Sequence, residues 1–205
     1  MKTLLFVGGS RAGNEFFLSL LDHHSQILQF PGTIRGDLNL LNILTCSNPE
    51  KIVKDFIYQY KHFFNSKKSN DIDLTKLERH DELGDSKKKY FVVDENKFKA
   101  YFIKVYKNKS NQKNRQFYNL LLLHQAYSIA KGKNLKKMKL MVINCHLIPY
   151  VNFFVKNILK EKKFNIIHTI RHPLSAISSP LNNWIKYNSG KFFFSDSMYY
   201  QIDLV

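Results

Sequence analysis

The sequence is poor in the residues that build a disulfide scaffold, a membrane span or a secretion signal. Its two cysteines in 205 residues, Cys46 and Cys145, are too few to stabilise a fold of this length through disulfide bonds. They also fit no CxxC or Cys/His metal spacing. No stretch approaches the roughly 18–20 continuous apolar residues of a membrane helix. The apolar run at residues 3–7 is short and ends at two glycines, without a small-residue cleavage site. We therefore expect a cytoplasmic protein with no transmembrane segment and no metal site.

Acidic residues are also scarce, because 16 Asp and Glu stand against 32 Lys and Arg and leave a net charge of +16. Such a balance favours an anionic partner. The lysines, however, are dispersed over polar segments and form no basic helix, zinc finger or aromatic RNA-binding strand. We therefore expect a solvated lysine-rich surface and no specific nucleic-acid partner. The sequence does not indicate an oligomeric state.

Hydrophobic residues make up 44% of the chain and aromatic residues 14%, which is enough for one substantial core. The length suits a single domain over residues 1–205, with a polar excursion around residues 65–89. Apolar runs typical of strands alternate with helical patterns, which favours an α/β fold of three layers with helices on both faces of a central, mainly parallel sheet. The predicted strands are 3–7, 90–93, 139–144 and 164–170, and the predicted helices are 16–21, 49–64, 115–130, 149–159 and 174–184.

A glycine-rich segment, Gly-Gly-Ser-Arg-Ala-Gly-Asn-Glu at residues 8–15, lies between the first predicted strand and its helix. Glycines allow backbone N–H groups to surround an anion, and a helix N-terminus adds partial positive charge. The spacing of Gly8 and Gly13 matches the first half of a P-loop. Asn14 and Glu15 follow where a Mg-nucleotide hydrolase needs Lys and Ser or Thr. The segment is therefore either an anion site or a plain tight turn.

A second candidate segment begins at Arg171, at the carboxyl end of the last predicted strand, with Ser179 eight positions later. The pair could hold one phosphate, the guanidinium as a charged fork and the serine through its hydroxyl. An ordinary salt bridge and a helix cap would use the same residues. Ligands of parallel α/β sheets bind at the carboxyl ends of strands. We expect the glycine loop, His146 and Arg171 to meet at that edge, because each follows a predicted strand.

Taken together, these two segments resemble the PAPS-dependent sulfotransferase family (PAPS is 3′-phosphoadenosine 5′-phosphosulfate). That family opens with a strand, a loop of the type G-x-P-[RK]-S-G-T-T, a helix and H-P-x-I, where this chain has residues 9–15 and then His-Ser-Gln-Ile at 24–27. The family's second signature, a strand ending in R-x-P with a Ser eight residues on, is matched by Arg171, Pro173 and Ser179. The resemblance covers residues 3–32 and about 139–184, and it implies a P-loop NTPase-like topology.

The resemblance also implies PAPS as co-substrate, no metal, and roles for individual residues. The loop residues implied to hold the 5′-phosphosulfate are Gly9, Ser10, Arg11, Ala12, Gly13, Asn14 and Glu15. Arg171 and Ser179 would hold the 3′-phosphate. His146 stands 25 positions before Arg171, near the place of the catalytic His-Leu-Pro of cytosolic members, and is the candidate base. Arg11 would act through its charge alone, because a guanidinium with a pKa above about 12 does not give up a proton.

The chain departs from the family at several loop positions and in its C-terminal part. Pro, Ser and Thr-Thr of the family loop are replaced by Ser10, Ala12 and Asn14-Glu15, and no R-K-G-x-x-G element follows. A C-terminally truncated member is therefore one interpretation. The leading hypothesis is a sulfotransferase that moves the sulfuryl group of PAPS to a hydroxyl or amine acceptor on a carbohydrate, small molecule or protein. The alternatives are a non-catalytic or degenerate nucleotide- or phosphate-binding homologue and, less favoured, a P-loop-like kinase.

Overall fold

The computed structural model describes residues 1–8, 14–22, 24–67, 86, 88–107, 114–145, 148–160, 162–170 and 172. These ranges contain both strands and helices, as the hydrophobic pattern predicts, and five helices follow one another between the second and third strands. The elements are β1 (Lys2–Gly8), α1 (Asn14–Leu21), β2 (Ile27–Leu28), α2 (Leu38–Thr45), α3 (Pro49–Gln59), α4 (Lys61–Phe64), α5 (Glu95–Lys107), α6 (Arg115–Ala130), a 3₁₀ turn (Leu135–Lys137), β3 (Leu140–Cys145), α7 (Ile148–Phe153), a π-helical segment (Phe154–Leu159) and β4 (Asn165–Thr169).

The strands of the described residues form one parallel sheet in the order β2-β3-β1-β4. β1 is central, pairing with β3 from Lys2 opposite Leu140 and with β4 from Leu4 opposite Asn165. β2 contributes two residues at the β3 side, whereas β4 forms the other edge and leaves Ile166 52% exposed. The predicted α/β class with a parallel central sheet is confirmed.

Helices cover both faces of the sheet, because side chains of β1 alternate between two apolar clusters. Leu4 and Phe6 point to one face, where they pack with Leu18 of α1. Leu5 and Val7 point to the opposite face, into a larger cluster formed with helices α2 to α6 and the segment after β3. The structure therefore has three layers, with α1 alone among the described helices on its face.

An aromatic cluster lies at the centre of the larger core. The ring of Phe30, which follows β2, lies 5.3 Å from Phe56, 5.3 Å from Phe63, 5.1 Å from Tyr127 and 4.1 Å from the ring of His124, measured between centroids. The Tyr127 hydroxyl donates to the Phe63 carbonyl oxygen at 2.6 Å, so its polar end is satisfied inside the core. Burying such rings stabilises the fold by about 1.5–3 kcal/mol each, and this cluster joins α3, α4 and α6 to the sheet.

Local hydrogen bonds set the beginnings of several helices. Asn48 precedes Pro49 and accepts from the backbone N–H groups of Glu50 and Lys51, which is a typical N-cap before a proline. Asn114 caps α6 by accepting from Phe117 N–H at 3.1 Å. These caps satisfy backbone donors that have no partner inside the helix.

Two predicted elements differ from the structure, and others lie outside the residues it describes. The helix expected over 49–64 is divided at Tyr60, whose backbone leaves the helical region and whose buried side chain joins the core. The strand expected at 90–93 is wrong, because Val92 makes one isolated antiparallel bridge to Asn65 and does not join the sheet. The helix expected over 174–184 and most of the polar excursion around 65–89 lie outside the described residues. Helices α2 and α5 were not predicted.

Candidate anion site at the carboxyl edge of the sheet

The carboxyl ends of three neighbouring strands meet at one edge of the sheet. Val7 of β1 pairs with Cys145 at the end of β3, and Gly8 of β1 pairs with Thr169 at the end of β4. The segments at residues 9–13, 146–147 and 170–172 follow these strands directly in the sequence. The strands that precede the three candidate segments in the sequence are therefore adjacent in the sheet.

β1 and β3 also form a topological switch point. The helix that follows β1 packs on one face, where Leu18 contacts Leu4 and Phe6. The helix that follows β3 lies on the other face, where Val151 and Phe153 pack against the larger core. Adjacent parallel strands whose connections leave on opposite faces open a crevice at their carboxyl ends, which is the usual ligand position in such sheets.

Asn14 is the predicted site residue whose side chain the structure describes, and it is 4% exposed. Its Nδ2 donates to the Gly8 carbonyl oxygen at 3.2 Å, and its Oδ1 accepts from the Thr169 hydroxyl at 2.7 Å. The Thr169 oxygen also lies 3.3 Å from the carbonyl oxygen of Val7. Asn14 thereby joins the beginning of α1 to the ends of β1 and β4.

Gly8 is required by this arrangement. A Cβ atom on Gly8 would overlap the Asn14 carboxamide and the Thr169 hydroxyl. The close approach of these two side chains to the backbone is therefore possible only without a side chain at position 8. The glycine at the end of β1 has a packing role that is separate from anion binding.

A second polar contact lies on the β3 side of the same edge. Asn144 is 3% exposed and stands opposite Phe6 in the sheet. Its side-chain Nδ2 donates to the Thr33 hydroxyl at 3.0 Å. Its backbone carbonyl oxygen accepts from the backbone N–H of Ile34 at 3.0 Å. Among the residues that the structure describes, none is a hydrogen-bond partner of the Asn144 Oδ1. A buried acceptor without a partner costs about 1–3 kcal/mol, so a donor placed against it is favoured.

Cys145, the last residue of β3, is fully buried and carries a free thiol. Burial raises its pKa, so the sulfur stays protonated near neutral pH. It is therefore a core residue and not a nucleophile.

Most of the sequence-predicted site residues lie outside the described part of the chain. Glu15 is placed in the first turn of α1. The predicted residues outside the described ranges are Gly9, Ser10, Arg11, Ala12, Gly13, His146, Arg171 and Ser179. The structure describes residues that adjoin the glycine loop, His146 and Arg171, and none that adjoins Ser179. Thr33, Asn144 and Thr169 at this edge were missed by sequence reasoning, since a single polar residue next to a strand end carries no distinctive signal.

His124 is a further polar residue that the sequence pattern did not single out. It is 1% exposed in α6, and its Nδ1 donates to the Leu120 carbonyl oxygen at 2.8 Å. Burial is the main cause that lowers its pKa to about 4, so the ring is neutral at pH 7. It belongs to the aromatic cluster around Phe30 and acts as a core residue.

No protein-family model matches this chain, and neither does a curated protein or a solved structure. Across the described ranges, no group of three or more His, Cys, Asp or Glu residues is arranged to hold a metal ion. No described helix has the length and apolar character to cross a membrane.

Proposed function

We propose that this protein is a PAPS-dependent sulfotransferase that moves a sulfuryl group to a hydroxyl or amine acceptor. The observation that carries the proposal is the meeting of β1, β3 and β4 at one sheet edge. The glycine loop, His146 and Arg171 follow these three strands, although they are far apart in the sequence. Their order in the chain and the sequence patterns at both ends resemble the sulfotransferase family.

The strand order supports the roles that the resemblance implies. β1 lies between β3 and β4, so the glycine loop starts between the starting points of the other two segments. Neighbouring strands are about 4.8 Å apart, which puts the ends of β3 and β4 roughly 10 Å from each other. A nucleotide that carries phosphate groups on two positions of its ribose can extend over such a distance. The proposal includes a P-loop NTPase-like topology, which this strand order and the helices on both faces of the sheet support.

The chemistry proposed for the chain's residues follows from sulfuryl transfer. His146 accepts the proton of the acceptor hydroxyl as the new oxygen–sulfur bond forms. The bond between sulfur and the bridging phosphate oxygen breaks, and 3′-phosphoadenosine 5′-phosphate leaves. Arg11 stabilises the negative charge on the transferred group, and Arg171 with Ser179 holds the 3′-phosphate. The crevice between β1 and β3 would bring the base and the loop to opposite sides of the reacting group.

The experiment that tests the proposal is calorimetric binding of 3′-phosphoadenosine 5′-phosphate at near-physiological salt. ADP and Mg-ATP are the control ligands, and Arg171→Ala is the test variant. We expect binding that needs the 3′-phosphate, needs no Mg²⁺ and weakens at least about 10-fold in Arg171→Ala, because one charged hydrogen-bonding group is lost. Equal weak binding of all three nucleotides, or unchanged binding by the variant, would overturn the proposal.

A non-catalytic or degenerate nucleotide-binding homologue is the second candidate, and the contacts of Asn14 favour it. The resemblance implies that position 14 contacts phosphate, whereas the Asn14 carboxamide bonds to Gly8 and Thr169 within the fold. Sulfate transfer from radiolabelled PAPS to a panel of phenols, amines and sugars separates the two candidates. Specific nucleotide binding without transfer to any acceptor, and without slow hydrolysis of PAPS, would favour the degenerate homologue.

A further inference from the structure

Lysines are gathered at the amino edge of the sheet, opposite the candidate anion site. Because the strands are parallel, the residues that precede them meet at this edge. Seven exposed lysines directly precede or begin β1, β3 and β4, and we call them the amino-edge lysines. They are Lys2, Lys136, Lys137, Lys139, Lys160, Lys162 and Lys163.

Three of these lysines form a row across neighbouring strands. Lys2 N–H donates to the Lys139 carbonyl oxygen at 2.9 Å, and Lys139 N–H donates to Gln26 at 2.9 Å. Lys163 lies two residues before Asn165, which pairs with Leu4 in the sheet. The backbones of neighbouring strands lie about 4.8 Å apart. Because Lys2 pairs with Leu140, the side chains of Lys2 and Lys139 point to opposite faces of the sheet, so this edge presents charge on both faces.

The charge of this edge is largely uncompensated. Within the described ranges, none of the seven amino-edge lysines forms an ion pair; Asp22 pairs with Lys131 at 3.2 Å. Lys162 lies 5.6 Å from the ring centre of Phe117, which leaves its charge in place. Glu161 is an acidic neighbour in the sequence and lies outside the described residues. Several positive charges therefore face solvent together.

Most apolar residues among the described amino-edge lysines point inward. Leu135 and Met138 are partly buried and pack against the larger core, whereas Met1, beside Lys2, is 55% exposed. A surface that attaches to a bilayer usually adds several apolar side chains that insert beside its lysines. A single exposed methionine offers little apolar area for insertion, which favours a hydrated polyanion over a lipid surface.

We propose that the amino-edge lysines bind the phosphate backbone of nucleic acid without sequence preference. The repeated phosphates of a polyanion can contact several mobile ammonium groups along this edge, and counterion release supplies the binding free energy. Lysine side chains that contact phosphates position a nucleic acid and do not read its bases. The proposed interface lies at the edge opposite the candidate sulfotransferase site, so it stands whether or not that function is correct.

The test is fluorescence anisotropy of a labelled 20-base-pair duplex of random sequence, titrated with the full chain from about 50 to 200 mM salt. The test variant replaces Lys2, Lys139 and Lys163 with Gln. The matched control replaces Lys54, Lys88 and Lys104 with Gln; these lysines are also exposed, and the change in net charge is identical. Thermal unfolding verifies that both variants are folded.

We expect the test variant to reduce the slope of log affinity against log salt by about two to three and the affinity at low salt at least about 10-fold. The control variant should change both quantities much less, and a second duplex of unrelated sequence should bind equally. Equal losses in the two variants would overturn the proposal, because they would mean that the overall charge of +16 attracts DNA from all sides. Loss of binding to phosphatidylserine vesicles without loss of binding to DNA would also overturn it, in favour of a lipid surface.

Discussion

The stability of this protein should fall in mild acid because of His124. The ring is 1% exposed and lies 4.1 Å from the ring of Phe30. Burial lowers the pKa to about 4, although the backbone carbonyl groups of Leu120 and Val142 act in the opposite direction. Protonation would place a positive charge inside an aromatic core, where no carboxylate is among the groups that act on the ring's pKa.

The size of the effect follows from the difference between the folded and unfolded pKa values. An unfolded histidine has a pKa of about 6.5, and the folded pKa is about 4. The unfolded state therefore binds the proton first, so stability is complete above pH 6.5 and is lost as the pH falls towards 4. The loss is about 2 kcal/mol at pH 5 and about 3 kcal/mol once the pH is below both values.

Urea unfolding of the natural chain and of His124→Leu, at about pH 7.5 and pH 5, measures this loss. The Leu120 carbonyl oxygen keeps its helical bond from the backbone N–H of residue 124, so leucine leaves no orphaned acceptor. The natural chain should lose about 2 kcal/mol more than the variant between the two pH values. Carboxylates such as Asp94, whose pKa is lowered by hydrogen bonds from Lys97, titrate in both proteins. Their contribution to the loss of stability is therefore the same in both and does not affect the difference. Equal losses would refute the assignment of His124 as a buried neutral histidine.

Two further predictions concern the contacts at the carboxyl edge. Gly8→Ala should destabilise the fold by about 1–3 kcal/mol in urea unfolding, because its Cβ overlaps Asn14 and Thr169; a neutral effect would contradict the close packing described. The double-mutant cycle of Asn14→Ala and Thr169→Val should give a coupling free energy of about 0.5–3 kcal/mol. Additive effects would mean that the 2.7 Å hydrogen bond does not join α1 to β4 in solution.

The strands with continuous apolar runs could be predicted from the sequence almost to the residue. Predicted strands 3–7, 139–144 and 164–170 correspond to β1, β3 and β4. A central parallel strand is apolar on both faces, and that pattern is readable without tertiary information. β2 has only two residues, so it carries too little periodicity for prediction.

Other elements were missed or wrongly assigned. Helix α5 was not predicted, although Phe98, Phe102 and Tyr106 recur at four-residue intervals that are typical of a helix face. The segment around Val92 is apolar like a strand, yet hydrogen bonds of its neighbours Phe91 and Val93 join it to the end of α4. Local sequence describes the preference of such segments, whereas tertiary packing decides their partners.

The location of the candidate site in the fold could be predicted from the sequence, whereas the hydrogen bonds within it could not. Alternation of strands and helices is enough to place the glycine loop, His146 and Arg171 after parallel strands. The hydrogen bond between Asn14 and Thr169 joins residues 155 positions apart and depends on the register of β1 with β4. No sequence pattern specifies that register. Asn14 was therefore expected to bind an anion, although its carboxamide forms hydrogen bonds to other residues of the fold.

The parallel sheet also explains why the charge of the chain looked dispersed in the sequence. Segments that follow strands gather at one edge, and segments that precede strands gather at the other. Lys2, Lys139 and Lys163 are far apart in the sequence. Because each precedes or begins a strand and the strands are parallel, they lie together at the edge opposite the candidate anion site. A count of +16 cannot distinguish a uniformly basic surface from a directed one. The topology assigns the lysines that precede β1, β3 and β4 to the amino edge, whereas exposed lysines such as Lys54 and Lys104 belong to helices.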